Sequence, residues 1–233
     1  KTFPEALQRV GEHVGVKPKS NGNGRSKPAK RKQAKPQPAK KRGEKNPLEG
    51  VQWAGDSILY KVDTTIQKWC ESKPPIKPDA YVAYGGRRCS WPKTGGRRCL
   101  AFVGTDLDGQ EKAVLLYRGD GKPFPEFKTL GERKAHLVGG SEESWILPAD
   151  RDTVINANVI HKTEGTTDLL ALHSAKLPEN HVAITNACGA KSANPSKLDF
   201  SFAEGKDVVV AADADRPGIE GARKFAAQFF DVG

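Results

Sequence analysis

The sequence contains no methionine, few aromatic residues and no long apolar run. Because a start codon supplies methionine, its absence predicts that the 233 residues are a fragment or a processed product. No apolar run approaches the ~18 residues that span a bilayer, which predicts a protein without a membrane span. The four cysteines include no CxxC pair, and no signal peptide opens the chain. Reduced thiols and a cytoplasmic location are therefore expected.

Negative charge is almost absent from one segment, residues 17–45, which holds twelve basic residues and a single acidic residue, Glu44. The rest of the chain carries 26 of the 38 basic residues and 27 of the 28 acidic ones, so the net charge of +10 belongs to this segment. A segment of Lys, Pro, Gly and Asn cannot bury enough apolar surface to offset the entropy of ordering. We expect residues 17–47 to form an extended, disordered Lys/Pro-rich linker. It is either a spacer or a segment attracted to nucleic-acid phosphates.

The remaining chain divides into three parts by pattern. Residues 1–16 predict a short helix, with apolar residues at helical spacing, that belongs to a module upstream. Residues 48–152 mix short strands and turns, which predicts a small α+β subdomain. From residue 153 to 233 strands alternate with helices, the pattern of a doubly wound parallel sheet in an α/β domain. The predicted strands are 58–62, 100–103, 113–117, 145–147, 159–165 with its closing turn, 181–185 and 207–212, and the predicted helices are 65–71, 166–174 and 218–230.

One predicted strand is apolar along nearly its whole length. Residues 207–212 read DVVVAA. Such a run is typical of a strand buried on both faces of a parallel sheet. We therefore expect helices to cover both of its sides.

Carboxylates follow two of the predicted strands, at the edge where open parallel sheets bind ligands. Glu164 ends one strand and Asp213 and Asp215 follow another, where period-two alternation predicts that the pair points the same way. Asp168 lies one helical turn after Glu164. Clustered carboxylates disfavour one another's ionisation, and a divalent cation removes that cost; all-oxygen ligands suit Mg²⁺ or Mn²⁺ rather than Zn²⁺. Taken singly, Asp168 is also consistent with a helix-dipole role, and the DxD pair with a turn.

These residues carry a family resemblance. TEGTTD (163–168) and VVVAADADRPG (208–218) look like the Glu-Gly turn and the Asp-x-Asp of the Toprim domain, and ITNACGAKS (184–192) resembles its middle strand and glycine turn. Toprim domains occur in DnaG-type primases, topoisomerases, nucleases and recombination proteins. The resemblance implies catalytic and metal-binding roles for Glu164, Asp168, Asp213 and Asp215, and it implies that the domain is truncated at residue 233.

The order of the other segments resembles a DnaG-type or phage DNA primase. Residues 1–16 are similar to the last helix of the zinc-ribbon module of these enzymes, so Zn²⁺ is expected only in a missing upstream module. Residues 98–134 look like the subdomain before Toprim, where Arg98 and Lys134 would meet nucleotide phosphates or template. The resemblance implies metal-dependent RNA primer synthesis during replication. Single-stranded DNA, nucleoside triphosphates and a replicative helicase, fused or separate, would be the partners. The alternatives are a Toprim nuclease or topoisomerase, and a non-catalytic DNA-binding module that keeps the fold.

The motif GGRRC occurs twice, at 85–89 and 95–99. With Lys93, its arginines (Arg87, Arg88, Arg97 and Arg98) surround Trp91, which predicts a basic loop that follows a phosphate backbone and stacks a base. A solvated charged hairpin is the alternative. Zinc ligation by Cys70, Cys89 and Cys99 is an alternative, although their spacing is unlike that of a zinc ribbon. His161, inside a predicted strand, is expected to pack rather than to catalyse.

Overall fold

The computed structural model describes residues 45–54, 63–125, 134–189 and 195–232, except for the side chain of Ser196. These residues lie in one compact unit. The predicted helix 1–16, the linker 17–47 up to residue 44, and the predicted strand 58–62 fall outside the described residues. So do residues 126–133 of the segment that resembles a primase subdomain, and residues 190–192 of the predicted glycine turn.

The described ranges contain nine strands and five α-helices. The strands are β1 (Gln52–Trp53), β2 (Arg87–Trp91), β3 (Arg97–Thr105), β4 (Glu111–Arg118), β5 (Ala135–Leu137), β6 (Trp145–Ile146), β7 (Val159–Thr163), β8 (His181–Asn186) and β9 (Asp207–Ala211). The helices are α1 (Thr64–Glu71), α2 (Pro78–Ala83), α3 (Asp152–Ile155), α4 (Thr166–Ser174) and α5 (Arg216–Val232). No helix in these ranges is long and apolar enough to cross a membrane.

The first half of the sheet is antiparallel. The predicted hairpin is confirmed: β3 pairs with β4 in antiparallel register, and the turn between them is closed by Asp106, whose carboxylate accepts from the backbone N–H of Gln110 at 2.8 Å. Gly109 takes a φ of 82°, a conformation that glycine adopts without steric cost. On its other edge β3 pairs with β2 and, at Thr105, with β6.

The second half of the sheet has the predicted doubly wound form. Strands β8, β7 and β9 are parallel and lie in that order. Helix α4 packs Leu169 and Leu170 on the face of Ala183, whereas α5 packs Phe225 on the opposite face, against Val182. Helices on both faces of a parallel sheet define this α/β architecture.

A short strand joins the two halves into one sheet. Strand β6 is antiparallel both to β3, at Trp145, and to β8, at Asn186 and Thr185. Its Trp145 is buried and its indole donates to the Asp199 carbonyl at 2.8 Å. The sheet therefore continues across the predicted boundary at residues 152/153, and the division into two domains stays a prediction.

The prediction for residues 207–212 is wrong in one respect. Strand β9 forms, but it lies at the end of the sheet order and Val209 is 46% exposed. Helix α5 covers the face of Val208 and Val210, and among the described residues no helix covers the face of Val209. A continuous apolar run indicates two apolar faces, but the topology decides whether both are covered.

Candidate active site at the carboxyl edge of the sheet

The turn after β7 places the first two acidic residues. Strand β7 ends at Thr163, Glu164 and Gly165 form the turn, and α4 begins at Thr166. Asp168 is the third residue of α4, and its carboxylate accepts from the Gly165 N–H at 3.2 Å. A carboxylate in the first turn satisfies a backbone donor that the helix leaves unpaired, which explains why the chain turns into a helix here.

The loop after β9 meets this turn. The backbone N–H of Asp213 donates to Oε2 of Glu164 at 2.9 Å, so one hydrogen bond joins the two predicted acidic segments. Strand β9 ends at Ala211, so period-two alternation does not extend to Asp213 and Asp215, and the sequence argument that aligned them was wrong. Asp215 instead accepts from the Gly218 N–H at 2.8 Å at the start of α5.

Gly218 allows the two segments to approach each other. A Cβ built at this position would lie 2.4 Å from the Asp213 carbonyl oxygen and 2.9 Å from Oε2 of Glu164. Both separations are closer than any real Cβ contact, so a larger residue would push Glu164 and the Asp213 loop apart. Glycine is therefore needed here for close approach and not for backbone conformation.

The negative charges of the carboxylates at this edge repel one another, which favours the binding of a cation. Loss of solvent around the carboxylate and the negative charge of Asp213 raise the pKa of Asp168, although the Gly165 hydrogen bond opposes the shift. Beneath the edge, burial lowers the pKa of Lys162 to about 7, against the opposing pull of Glu164 and Asp168. The Lys162 ammonium donates to the Thr163 carbonyl and lies 4.2 Å from the centre of the Phe225 ring.

The donors at the edge fit a hard divalent cation by chemistry but are not gathered around one point. Every candidate ligand is a carboxylate oxygen, as Mg²⁺ and Mn²⁺ prefer. Nearby, Asn186 ends β8, and its buried Oδ1 has no hydrogen-bond partner among the described residues. In the described part of the chain, no three His, Cys, Asp or Glu side chains are close enough to hold one ion. Asp213 and Asp215 are exposed, so their side chains can rotate towards a cation.

The predicted basic residues lie elsewhere, on β2 and β3. Arg87 pairs with Glu111 and Arg88 with Asp63. Arg97 is half-buried and Arg98 is exposed. Lys134 is exposed just before β5. From Arg98 to Thr105, β3 covers about 23 Å at ~3.3 Å per residue, so the arginines at its start are far from the acidic edge.

The prediction that Trp91 stacks a nucleic-acid base is wrong. Residues 85–99 form the β2–β3 hairpin and not an open loop, and Trp91 is 2% exposed. Its indole stacks on the His136 ring with centroids 4.5 Å apart and meets the Phe124 ring edge-on. Strand alternation turns Trp91 and Cys89 to the covered face, while Arg88 and Ser90 take the other face.

The cysteines do not assemble a zinc site among the described residues. No disulfide joins the four cysteines, all of which are described; Cys70 faces one core from α1, whereas Cys89 and Cys99 belong to a separate core. His161 has a side-chain partner on the neighbouring strand, His181, at 2.9 Å. Sequence reasoning assigned no role to Lys162, Asn186 or Gly218. Lys162 is the penultimate residue of β7 and Asn186 is the last residue of β8, positions that could have drawn attention to them.

Comparison with known protein families gives a match over the last 72 residues of the chain. Residues 162–233 match the family model described as Toprim-like. These residues form a Toprim-like domain. The family resemblance of the 163–168 and 208–218 motifs is thus confirmed, and both acidic segments lie inside the Toprim-like domain. None of the curated proteins compared with the chain matches it.

Two solved structures are similar to a larger part of the chain. One is a structure of bacteriophage T7 lagging-strand DNA polymerase interacting with primase domains of two gp4 subunits bound to an RNA/DNA hybrid and dTTP. It has 16% identity and a TM-score of 0.46, and the match covers 66% of this chain and 70% of that chain. The other is the primase fragment of the bacteriophage T7 primase-helicase protein, with 17% identity, a TM-score of 0.43, and coverage of 66% of this chain and 58% of that chain.

Proposed function

We propose that this chain is the catalytic part of a DNA primase, which synthesises short RNA primers on single-stranded DNA from nucleoside triphosphates. The observation that carries the proposal is the hydrogen bond from the Asp213 N–H to Glu164, which unites the two acidic segments of a Toprim-like domain at the carboxyl edge of its sheet. This edge is where open α/β sheets bind their ligands. A replicative helicase, fused or separate, is the proposed partner.

The proposed reaction is a nucleotidyl transfer. The 3′-oxygen of the primer bonds to the α-phosphorus of the incoming nucleotide, and the bond to pyrophosphate breaks. Asp168, Asp213 and Asp215 would hold Mg²⁺ or Mn²⁺, which neutralises the charge that develops on the phosphate oxygens. Glu164 is half-buried and holds Asp213 through Oε2 only, so Oε1 is available to accept the hydroxyl proton.

A topoisomerase is less consistent with the structure than a primase. That reaction needs a tyrosine hydroxyl that can reach a phosphodiester. Tyr81, Tyr84 and Tyr117, the tyrosines of the described ranges, are at most 5% exposed. Burial raises the pKa of Tyr84 well above its usual value, and its hydroxyl donates to the Ala183 carbonyl at 2.8 Å.

Primer synthesis and metal binding by matched variants test the proposal. Glu164→Gln keeps the shape of the side chain but removes the proton acceptor, and we expect primer synthesis to fall by about 10²–10⁴-fold. Asp213→Asn should weaken Mn²⁺ binding in calorimetry by about 10-fold or more. Asp207→Asn is the control, because Asp207 is an exposed carboxylate at the opposite end of β9.

The outcomes separate the candidate functions. Near-normal primer synthesis by both Glu164→Gln and Asp213→Asn would refute the catalytic role of the acidic edge. Mn²⁺ binding without primer synthesis by the wild-type chain would favour a binding module. Equal loss of Mn²⁺ affinity in the two variants would make Glu164 a metal ligand rather than the proton acceptor.

A further inference from the structure

Two histidines meet on one face of the parallel half of the sheet. His161 is the third residue of β7, and His181 is the first residue of β8. Val159 stands directly opposite His181, and strand alternation places His161 on the same face as Val159. Nε2 of His161 and Nδ1 of His181 lie 2.9 Å apart, with ring centroids 5.2 Å apart. Two adjacent strands thus hold two imidazole nitrogens against each other, and we call them the His161–His181 pair.

The face that carries this pair is open on the side of β9. Val209 lies directly opposite His161 on β9 and is 46% exposed. Both histidines are half-buried. The residues that flank the pair along β7, β8 and β9 all belong to the described ranges. A small ion can therefore reach the two nitrogens from the side of Val209.

The protonation of the pair favours metal binding at neutral pH. Burial and the neighbouring His181 lower the pKa of His161 from 6.5, so its ring is mostly neutral at pH 7 and keeps a lone pair. Lys162, the next residue along β7, lies over the Phe225 ring on the opposite face, so its ammonium does not face the pair. Without a metal, one ring donates its N–H to the other. A metal ion takes the place of that proton, which moves to the outer nitrogen of the same ring, and both rings stay neutral.

We propose that the His161–His181 pair binds a borderline divalent transition metal, for which Zn²⁺ is the probe, with water in the remaining coordination positions. Imidazole nitrogens suit Zn²⁺, Cu²⁺ and Ni²⁺, whereas carboxylate oxygens suit Mg²⁺ and Mn²⁺. Two Zn–N bonds of ~2.0–2.1 Å at a tetrahedral angle place the nitrogens about 3.4 Å apart, so the rings need to separate by about 0.5 Å. Such an ion would join β7 to β8 and stabilise the folded chain.

This site is separate from the acidic edge and does not depend on the proposed function. Its ligands are nitrogens, and His161 precedes Glu164 by three residues, or about 10 Å of strand at ~3.3 Å per residue. Zinc can therefore occupy the pair while Mg²⁺ occupies the carboxylates.

Calorimetric titration of Zn²⁺ into the full chain, in an excess of Mg²⁺ that occupies the oxygen sites, tests the proposal. His161→Gln and His181→Gln each remove one ligand. Loss of an outer-shell partner of a ligand already costs about 10–100-fold in metal affinity, so each variant should bind Zn²⁺ at least about 10-fold more weakly. His173→Gln is the matched control, because His173 is also half-buried but packs edge-on against Tyr84 on α4.

Weaker Zn²⁺ binding in both pair variants, with wild-type affinity in His173→Gln, supports the proposal. Unchanged affinity in either pair variant overturns it, as does an equal loss in His173→Gln. Equal urea midpoints of the wild type and the pair variants, measured with a chelator, exclude misfolding as the cause. In the wild type itself, Zn²⁺ should shift the ring-proton NMR signals of His161 and His181 but not those of His173, and unshifted signals would overturn the proposal without reference to any variant.

Asp213→Asn distinguishes this site from the proposed catalytic one. It should lose Mn²⁺ affinity and keep Zn²⁺ affinity, which supports two separate sites. An equal loss of Zn²⁺ affinity in Asp213→Asn would place the zinc at the acidic edge and overturn the inference. Retention of both affinities would contradict the proposed function and leave the His161–His181 site supported.

Discussion

Lys162 offers a sharp test of the electrostatics beneath the acidic edge. The side chain is 2% exposed, and burial lowers its pKa from 10.5 to about 7. At pH values between these two pKa values, Lys162 of the unfolded chain binds a proton that Lys162 of the folded chain has lost. Stability must therefore rise with pH across this window, and the full penalty applies below pH 7. Replacing Lys162 by Met keeps the length of the side chain and removes the titration.

The expected magnitude follows from the size of the pKa shift. Each unit of pKa is worth ~1.36 kcal/mol, so at pH 7 the burial of Lys162 reduces the free energy of unfolding by about 4 kcal/mol. From pH 7 to pH 9 the penalty falls by about 2 kcal/mol. The lost hydrogen bond to the Thr163 carbonyl offsets about 1 kcal/mol of the gain in Lys162→Met.

Urea unfolding at several pH values between 6 and 9, with a chelator present to remove divalent metal, measures this difference. We expect the wild type to gain stability with pH relative to Lys162→Met, and the variant to be the more stable protein at pH 7. A difference between the two proteins that stays constant across the range would refute the reasoning. It would mean that Glu164 and Asp168 hold the buried ammonium charged in spite of its burial.

Three further substitutions test particular contacts. Gly218→Ala should weaken Mn²⁺ binding in calorimetry by about 10-fold, because its Cβ displaces Glu164; unchanged affinity would show that the two acidic segments need not touch. Trp91→Ala should cost about 3–5 kcal/mol in urea unfolding while leaving the affinity for oligo-dT unchanged. Unchanged stability together with weaker oligo-dT binding would instead support base stacking by Trp91. Burial and the neighbouring His181 lower the pKa of His161 from 6.5. The wild type should therefore lose stability relative to His161→Gln as the pH falls below that value, and parallel pH profiles would contradict this.

Local pattern was enough to predict most elements and the place of the acidic residues. The Glu-Gly turn at the end of a predicted strand predicted a helix from residue 166, and α4 begins at Thr166. The Asp106–Gly109 turn between two apolar runs predicted the β3–β4 hairpin. Such features depend on the hydrogen bonds and side-chain alternation of a few neighbouring residues, which the sequence contains in full.

Tertiary structure alone decided what each side chain touches. The apolar run 207–212 predicted a strand but not its place at the sheet edge, because order in a sheet depends on which distant strands pair. Trp91 and Arg98 belong to one basic segment in the sequence, yet strand pairing buries the first and exposes the second. The approach of Asp213 to Glu164 depends on Gly218, whose missing Cβ matters only once α5 packs against the turn after β7. The sequence by itself determined the elements and their chemistry, and the packing of residues far apart in the chain determined the sites.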